Sequence, residues 1–183
     1  QRQGYHFESG PSLWSGLGRW PSNNPLAQIL RALDEPIEVM SYRDWDVLFP
    51  EGHLRIGVGA DGFEQVVHQL RGDAAVEEWR RFARTLQPIA AAADALPLLA
   101  LPPAGIDGLG PLLKRSGRLL PHLPALRHLS GAFAPLVDRQ LTDPFLRHWV
   151  DLLCFLISGM PMADTNAAAM ATLFGEWFDP EAG

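Results

Sequence analysis

Three kinds of residue in this chain have types and spacings that could do chemistry. Gly57-Val58-Gly59-Ala60-Asp61-Gly62 matches G-x-G-x-x-G, between a strand-like and a helix-like stretch. In a dinucleotide site such glycines let backbone close on a pyrophosphate at a helix N-terminus, and an acid ends the next strand about 20 residues later. Here Glu77 and Glu78, at that distance, fall inside a helix-like stretch, so the glycines read as a strand-end turn. His122, His128 and His148 are of metal-ligating type, but no C-x-x-C, H-E-x-x-H or i, i+4 histidine pair accompanies them, and no metal site is expected. Cys154, the single cysteine, lies among Leu153, Phe155 and Leu156 and reads as a core thiol; no internal disulfide can form. No G-x-S-x-G elbow is present. Glu8 and Asp151 read as a strand-end carboxylate and a helix ion-pair member, and Trp14 and Trp20 as candidates to line a ligand entrance.

The elements that must position these residues read as α+β, a small antiparallel hairpin sheet followed by a mostly helical region. Asn24 caps a helix whose first residue is Pro25, with Leu26, Ile29, Leu30 and Leu33 on one face and Asp34-Glu35-Pro36 as its stop. Residues 37–42 are strand-like. Residues 45–49 and 53–58 predict a hairpin around Pro50-Glu51-Gly52. Asp61 with Glu64 resembles a capping box, before a stripe of Phe63, Val66, Val67 and Leu70. Gly72-Asp73 opens another helix, with Val76, Trp79, Phe82, Ala83 and Leu86 inward and Glu77 paired with Arg81 outside. Pro88 is expected to kink or end it.

From 95 to 124 prolines and glycines recur, and only short helical turns such as 109–114 are expected. Residues 125–131 and 135–141 predict further helices. Pro144–Ser158 is apolar almost all round, apart from a stripe with Arg147 and Asp151 four apart, and such a helix should be buried. In residues 164–178, Met170, Leu173, Phe174, Trp177 and Phe178 share one face, and Ala167, Ala168, Ala169 and Ala171 lie opposite. Residues 1–60 form a loop-and-hairpin region and 61–183 a helical one, in one continuous unit.

A net charge of −6 without a basic stripe argues against a nucleic-acid binder. Residues 95–150 are mildly basic, with six basic against three acidic side chains, and read as a solvated face. The uncharged runs 152–163 and 95–106 fall short of the roughly 20 residues that span a bilayer, leaving only a peripheral contact open. The opening, without Met or an apolar run, reads as that of a fragment or processed product.

Taken in order, "GYHFESGPSLWSGLG", "NPLAQILRALDE", the hairpin ending "FPEG", the "VEEW" helix and "DPFLRHWVDLLCFLISGMP…EWFDP" resemble the carotenoid (prolycopene) isomerase and phytoene desaturase-like branch of the FAD-dependent amine-oxidase superfamily. The correspondence runs over nearly the whole chain. The resemblance implies the substrate-domain part of a larger protein, whose Rossmann motif and C-terminal flavin segment lie outside these residues. It implies that Glu8, Ser9, Gly10, Pro11 and Ser12 run near FAD, with Glu8 standing where such proteins often carry Asp. The implied guest is a carotenoid or related polyene, isomerised with reduced flavin or desaturated by hydride transfer to it. The implied location is a plastid, thylakoid or cyanobacterial membrane, touched peripherally, with Leu98, Leu99 and Leu101 at the membrane-dipping entrance. Two rivals stand beside it, a retinol-saturase-like enzyme and a non-catalytic hydrophobic-ligand or protein-interaction module.

Overall fold

The computed structural model describes residues 4, 16–18, 20–22, 24–50, 52–95 and 120–177. In order these form α1 (Pro25–Ala32), β1 (Asp44–Phe49), β2 (Gly52–Gly57), α2 (Ala60–Arg71), α3 (Asp73–Asp94), a 3-10 turn (Leu120–His122), α4 (Leu123–Leu126), α5 (Ala134–Gln140), α6 (Pro144–Ser158) and α7 (Ala167–Trp177). The α+β expectation holds at this level: an antiparallel hairpin and seven helices.

The hairpin register pairs Trp45 with Ile56, Val47 with Leu54 and Phe49 with Gly52. Because side chains alternate along a strand, Trp45, Val47, Phe49, Leu54 and Ile56 all face the helices, where Ile56 is fully buried. The outer face carries diagonal ion pairs, Asp46 with His53 and Asp44 with Arg55, each at 2.7 Å. A two-stranded ribbon is marginal alone, so its inner face needs the helices beneath it.

Gly59, two residues past the end of β2, has φ of 95°, and α2 begins at the next residue. Gly59, not Asp61, is therefore the N-cap, and Asp61 sits in the first turn, where a carboxylate suits the helix dipole. Glu64 does not fold back as in a capping box; it reaches Arg80 on α3. Gly62 lies so close to β2 that an added Cβ would stand 2.3 Å from the Gly57 carbonyl oxygen. The glycine motif thus makes the expected strand-end turn at Gly59 and, in addition, a close strand-to-helix contact at Gly62.

Long α3 forms the floor, packed along both α2 and α7. Its buried stripe is Ala75, Val76, Trp79, Phe82, Leu86, Ile89 and Ala92, with Ala83 half-buried. Pro88 does not end it; the helix continues to Asp94. Arg84 and Pro88 are both exposed, so water can reach the carbonyl that loses its donor, while Ile89 and Ala92 keep the last turns packed. The expected Glu77–Arg81 pair is replaced by Arg80, which bridges Glu77 and Glu64.

Asp143 caps α6 by accepting from the Phe145 and Leu146 N–H groups at 2.9 and 3.2 Å, with Pro144 in the first position. The helix buries Leu146, Trp149, Val150, Leu153 and Cys154 but not the rest of its apolar girth: Phe155, Leu156 and Ile157 are exposed. Arg147 and Asp151 do not pair. Arg147 reaches Asp138 and the Leu141 carbonyl, and Asp151 accepts from the Met162 N–H at 2.9 Å. Asn166 caps α7, whose Met170 and Phe174 are buried as expected; Ala167 and Ala171 are buried as well.

Two further expectations fail for want of a neighbour. Asn24 and Pro25 start α1 as predicted, yet α1 has no buried residue, and Ile29 and Leu33 point to solvent. Residues 37–42 form no strand with any described residue, and Ile37, Val39 and Met40 are exposed. The helix expected over 125–131 is the short α4 followed by turns.

The two helical glycines with neighbours on record allow a paired test. Gly62→Ala should lose about 3 kcal/mol in urea unfolding, since backbone must move. Gly175→Ala, whose Cβ would rest 3.6 Å from that of Ala90, should be neutral or gain up to about 1 kcal/mol.

Candidate functional site

Trp149 of α6 is the point where the elements meet. Its ring stacks on Phe63 of α2 at 4.8 Å and 19°, and Trp45 and Phe49 of β1 close over it at 5.8 and 5.9 Å. From Phe63 the rings continue through Trp79 and Phe82 of α3 to Phe174 of α7 and Phe133, at centroid distances of 4.7 to 6.0 Å. Such tilted and edge-on pairs add about 0.5–1.5 kcal/mol each beyond area burial. This column is a dry wall, and none of its side chains is a nucleophile, acid or base.

A polar clasp sits at one end. Glu78 on α3 accepts from the Thr142 N–H and hydroxyl and from the Asp143 N–H, just ahead of α6. Arg71 at the end of α2 donates to Asp143 at 2.9 Å. The clasp ties three helices together without a vacant functional group. Its partners are 64 and 72 positions apart in sequence, which is why no spacing argument found them.

Between α2 and α3 runs an open groove of about 490 Å³. Its lining is acidic, with Asp61, Glu64, Asp73 and Glu77 against Arg80, which lies between Glu64 and Glu77, while His68 is 3.1 Å from Asp73. The carboxylates hold the Arg80 guanidinium pKa above its usual value. A wet groove of this kind suits no long hydrocarbon.

The sequence-derived candidates do not converge. Cys154 is fully buried, and burial first, with Asp151 adding to it, pushes its thiol up to about 11. His128 is half-buried beside Arg127; burial and the positive charges of Arg127 and Arg139 lower its pKa. His148 is exposed, and among the described residues no group of three or more His, Cys, Asp or Glu could hold a metal ion. Trp20 is half-exposed under the Arg31 guanidinium at 4.2 Å, away from the column. Asp94 and Glu176, near the ends of α3 and α7, form a carboxylate pair the sequence did not reveal. Burial, then the Glu176 charge, raises the Asp94 pKa. Glu8, Ser9, Gly10, Pro11 and Ser12 lie outside the described residues, as do Trp14, Leu98, Leu99 and Leu101.

The described glycines are not set in a dinucleotide-binding unit, because β2 pairs antiparallel with β1 and α2 leads into α3 rather than into a parallel strand. Among the described residues no helix is long and apolar enough to cross a membrane. Comparison of the chain with protein-family models, with curated proteins and with solved structures finds no match in any of the three.

Two outcomes test this geometry. Glu78→Ala should lose about 1–2 kcal/mol, whereas Arg81→Ala, outside every recorded pair, should stay within about 0.5 kcal/mol by urea unfolding. At pH 8 a thiol near pKa 11 is about one-thousandth thiolate, so native Cys154 should alkylate over a hundredfold more slowly than the urea-unfolded chain.

Proposed function

We infer that this chain is the substrate-handling part of an FAD-dependent carotenoid isomerase or desaturase-like oxidoreductase that acts on a long apolar polyene. The observation that supports it most is where the family-like segments meet. Phe49 of "FPEG", Glu78 and Trp79 of "VEEW", and Asp143 to Trp149 of "DPFLRHW" join in the aromatic column and its polar clasp. Stretches that resemble one family in order along the chain are also interlocked in space.

The chemistry is consistent with such a guest. A polyene offers no group for an acid–base pair to act on, and a flavin, when bound, supplies the redox step while protein supplies orientation and dryness. The described glycines do not fit the dinucleotide, so FAD is assigned to polypeptide beyond them, with Glu8, Ser9, Gly10, Pro11 and Ser12 proposed to run beside it. The protein would work at a plastid, thylakoid or cyanobacterial membrane, touching it peripherally. The second reading, a non-catalytic hydrophobic-ligand or interaction module, draws on the same packing, since the described motif residues already have structural partners.

The deciding experiment expresses the whole reading frame containing this chain, loads it with FAD, reduces it anaerobically and supplies a poly-cis carotene. Chromatography should detect more trans isomer, or a desaturated product when flavin is left oxidised. A flavin-loaded protein that alters no polyene would leave the module reading. This chain alone should fail to bind FAD below about 1 μM in a fluorescence titration, because its described residues form no phosphate cradle; submicromolar binding would overturn the assignment of FAD to outside residues.

A further inference from the structure

We propose that residues 155–161, the last turn of α6 and the bend after it, form a contact with an uncharged, zwitterionic lipid surface. The seven residues are consecutive and all exposed, with Phe155 and Leu156 at 60%, Ile157 at 49% and Met160 at 43%. A soluble surface usually scatters its large apolar side chains singly. Here four are gathered at one helix end.

Charge selects the occupant. No charged side chain occurs between Asp151 and Asp164, and both of those flanking residues are acidic. An anionic membrane or an acidic partner would be repelled, whereas a neutral lipid interface asks for no counter-charge. Area points the same way. The four side chains expose on the order of 450 Å², beyond an ordinary scattered surface but well below the roughly 800 Å² per partner of a stable protein interface.

The backbone N–H groups of the ridge already have partners. Within residues 155–158 the N–H groups belong to the helix, and Gly159, in the left-handed conformation, donates to the Phe155 carbonyl at 2.8 Å. The Met160 N–H is taken by the Ser158 hydroxyl, Pro161 has no N–H, and the Met162 N–H is taken by Asp151. The Ser158 hydroxyl donates to Cys154 and that of Thr165 to Pro161. Every donor along the ridge is satisfied from within, so its entry into an acyl boundary strands none of them. This inference deepens the proposed function, on which its biological sense rests, and adds the end of α6 to the membrane contact expected at 98–101.

Flotation of the full chain with pure phosphatidylcholine vesicles tests it. Wild type should float; Phe155→Ser with Leu156→Ser, and separately Met160→Ser, should lose at least tenfold and about threefold in partition, with unchanged circular dichroism. Leu48→Ser, at an exposed site on the far face of the hairpin, should float like wild type. Added anionic lipid should not strengthen binding. The proposal is overturned if folded wild type stays in the aqueous layer, if the double variant floats equally, or if light scattering finds a dimer that the double variant dissolves. None of these results bears on polyene conversion, so the lipid contact can fail while the flavin reading stands.

Discussion

The structure depends on one indole. Trp149 lies between the hairpin and α2, stacked on Phe63 and covered by Trp45 and Phe49, with about 1% of its surface accessible. A two-stranded ribbon does not hold its shape in water, and α2 alone is too short to be stable. Each becomes stable by burying apolar area against the same ring, which is worth about 3 kcal/mol for a side chain of that size. Through Phe63 the constraint passes to Trp79 and Phe82, and through them to α7.

Orientation comes from polar groups of a different kind. Exposed ion pairs such as Asp44–Arg55 contribute little, because solvent screens them. Glu78 does more, since it satisfies backbone N–H groups just before α6 that would otherwise compete for water, and Asp143 then caps the helix itself. Together they tie the start of α6 to α3, and along α6 Trp149 and Cys154 are buried while Phe155, Leu156 and Ile157 face outward.

Local chemistry made much of the fold legible. Asn24-Pro25, Pro144 and Gly72 mark helix starts because start signals act within the first turn, and the 45–58 hairpin follows from its alternation. What periodicity cannot tell is whether a partner exists for an apolar face. Ile29 and Leu33 on α1, and the outer turn of α6, are well patterned and uncovered. Likewise, which acid Arg80 selects depends on α2 crossing α3, and neither Glu64 nor Glu78 is matched to its partner by spacing alone. The candidate site was less legible than the fold. The five residues assigned to flavin rest on resemblance, while the apolar wall is readable from composition but its open side is not.

The proposed function requires that the chain meet a hydrocarbon guest, and the uncharged ridge at the end of α6 is where the described residues would do so. The most direct measurement is energy transfer from its tryptophans to a short-wavelength conjugated polyene carried in phosphatidylcholine vesicles. The account predicts saturable quenching that polyene-free vesicles do not produce and that the double substitution at Phe155 and Leu156 weakens. A folded chain whose emission is unchanged by polyene-loaded vesicles would contradict it.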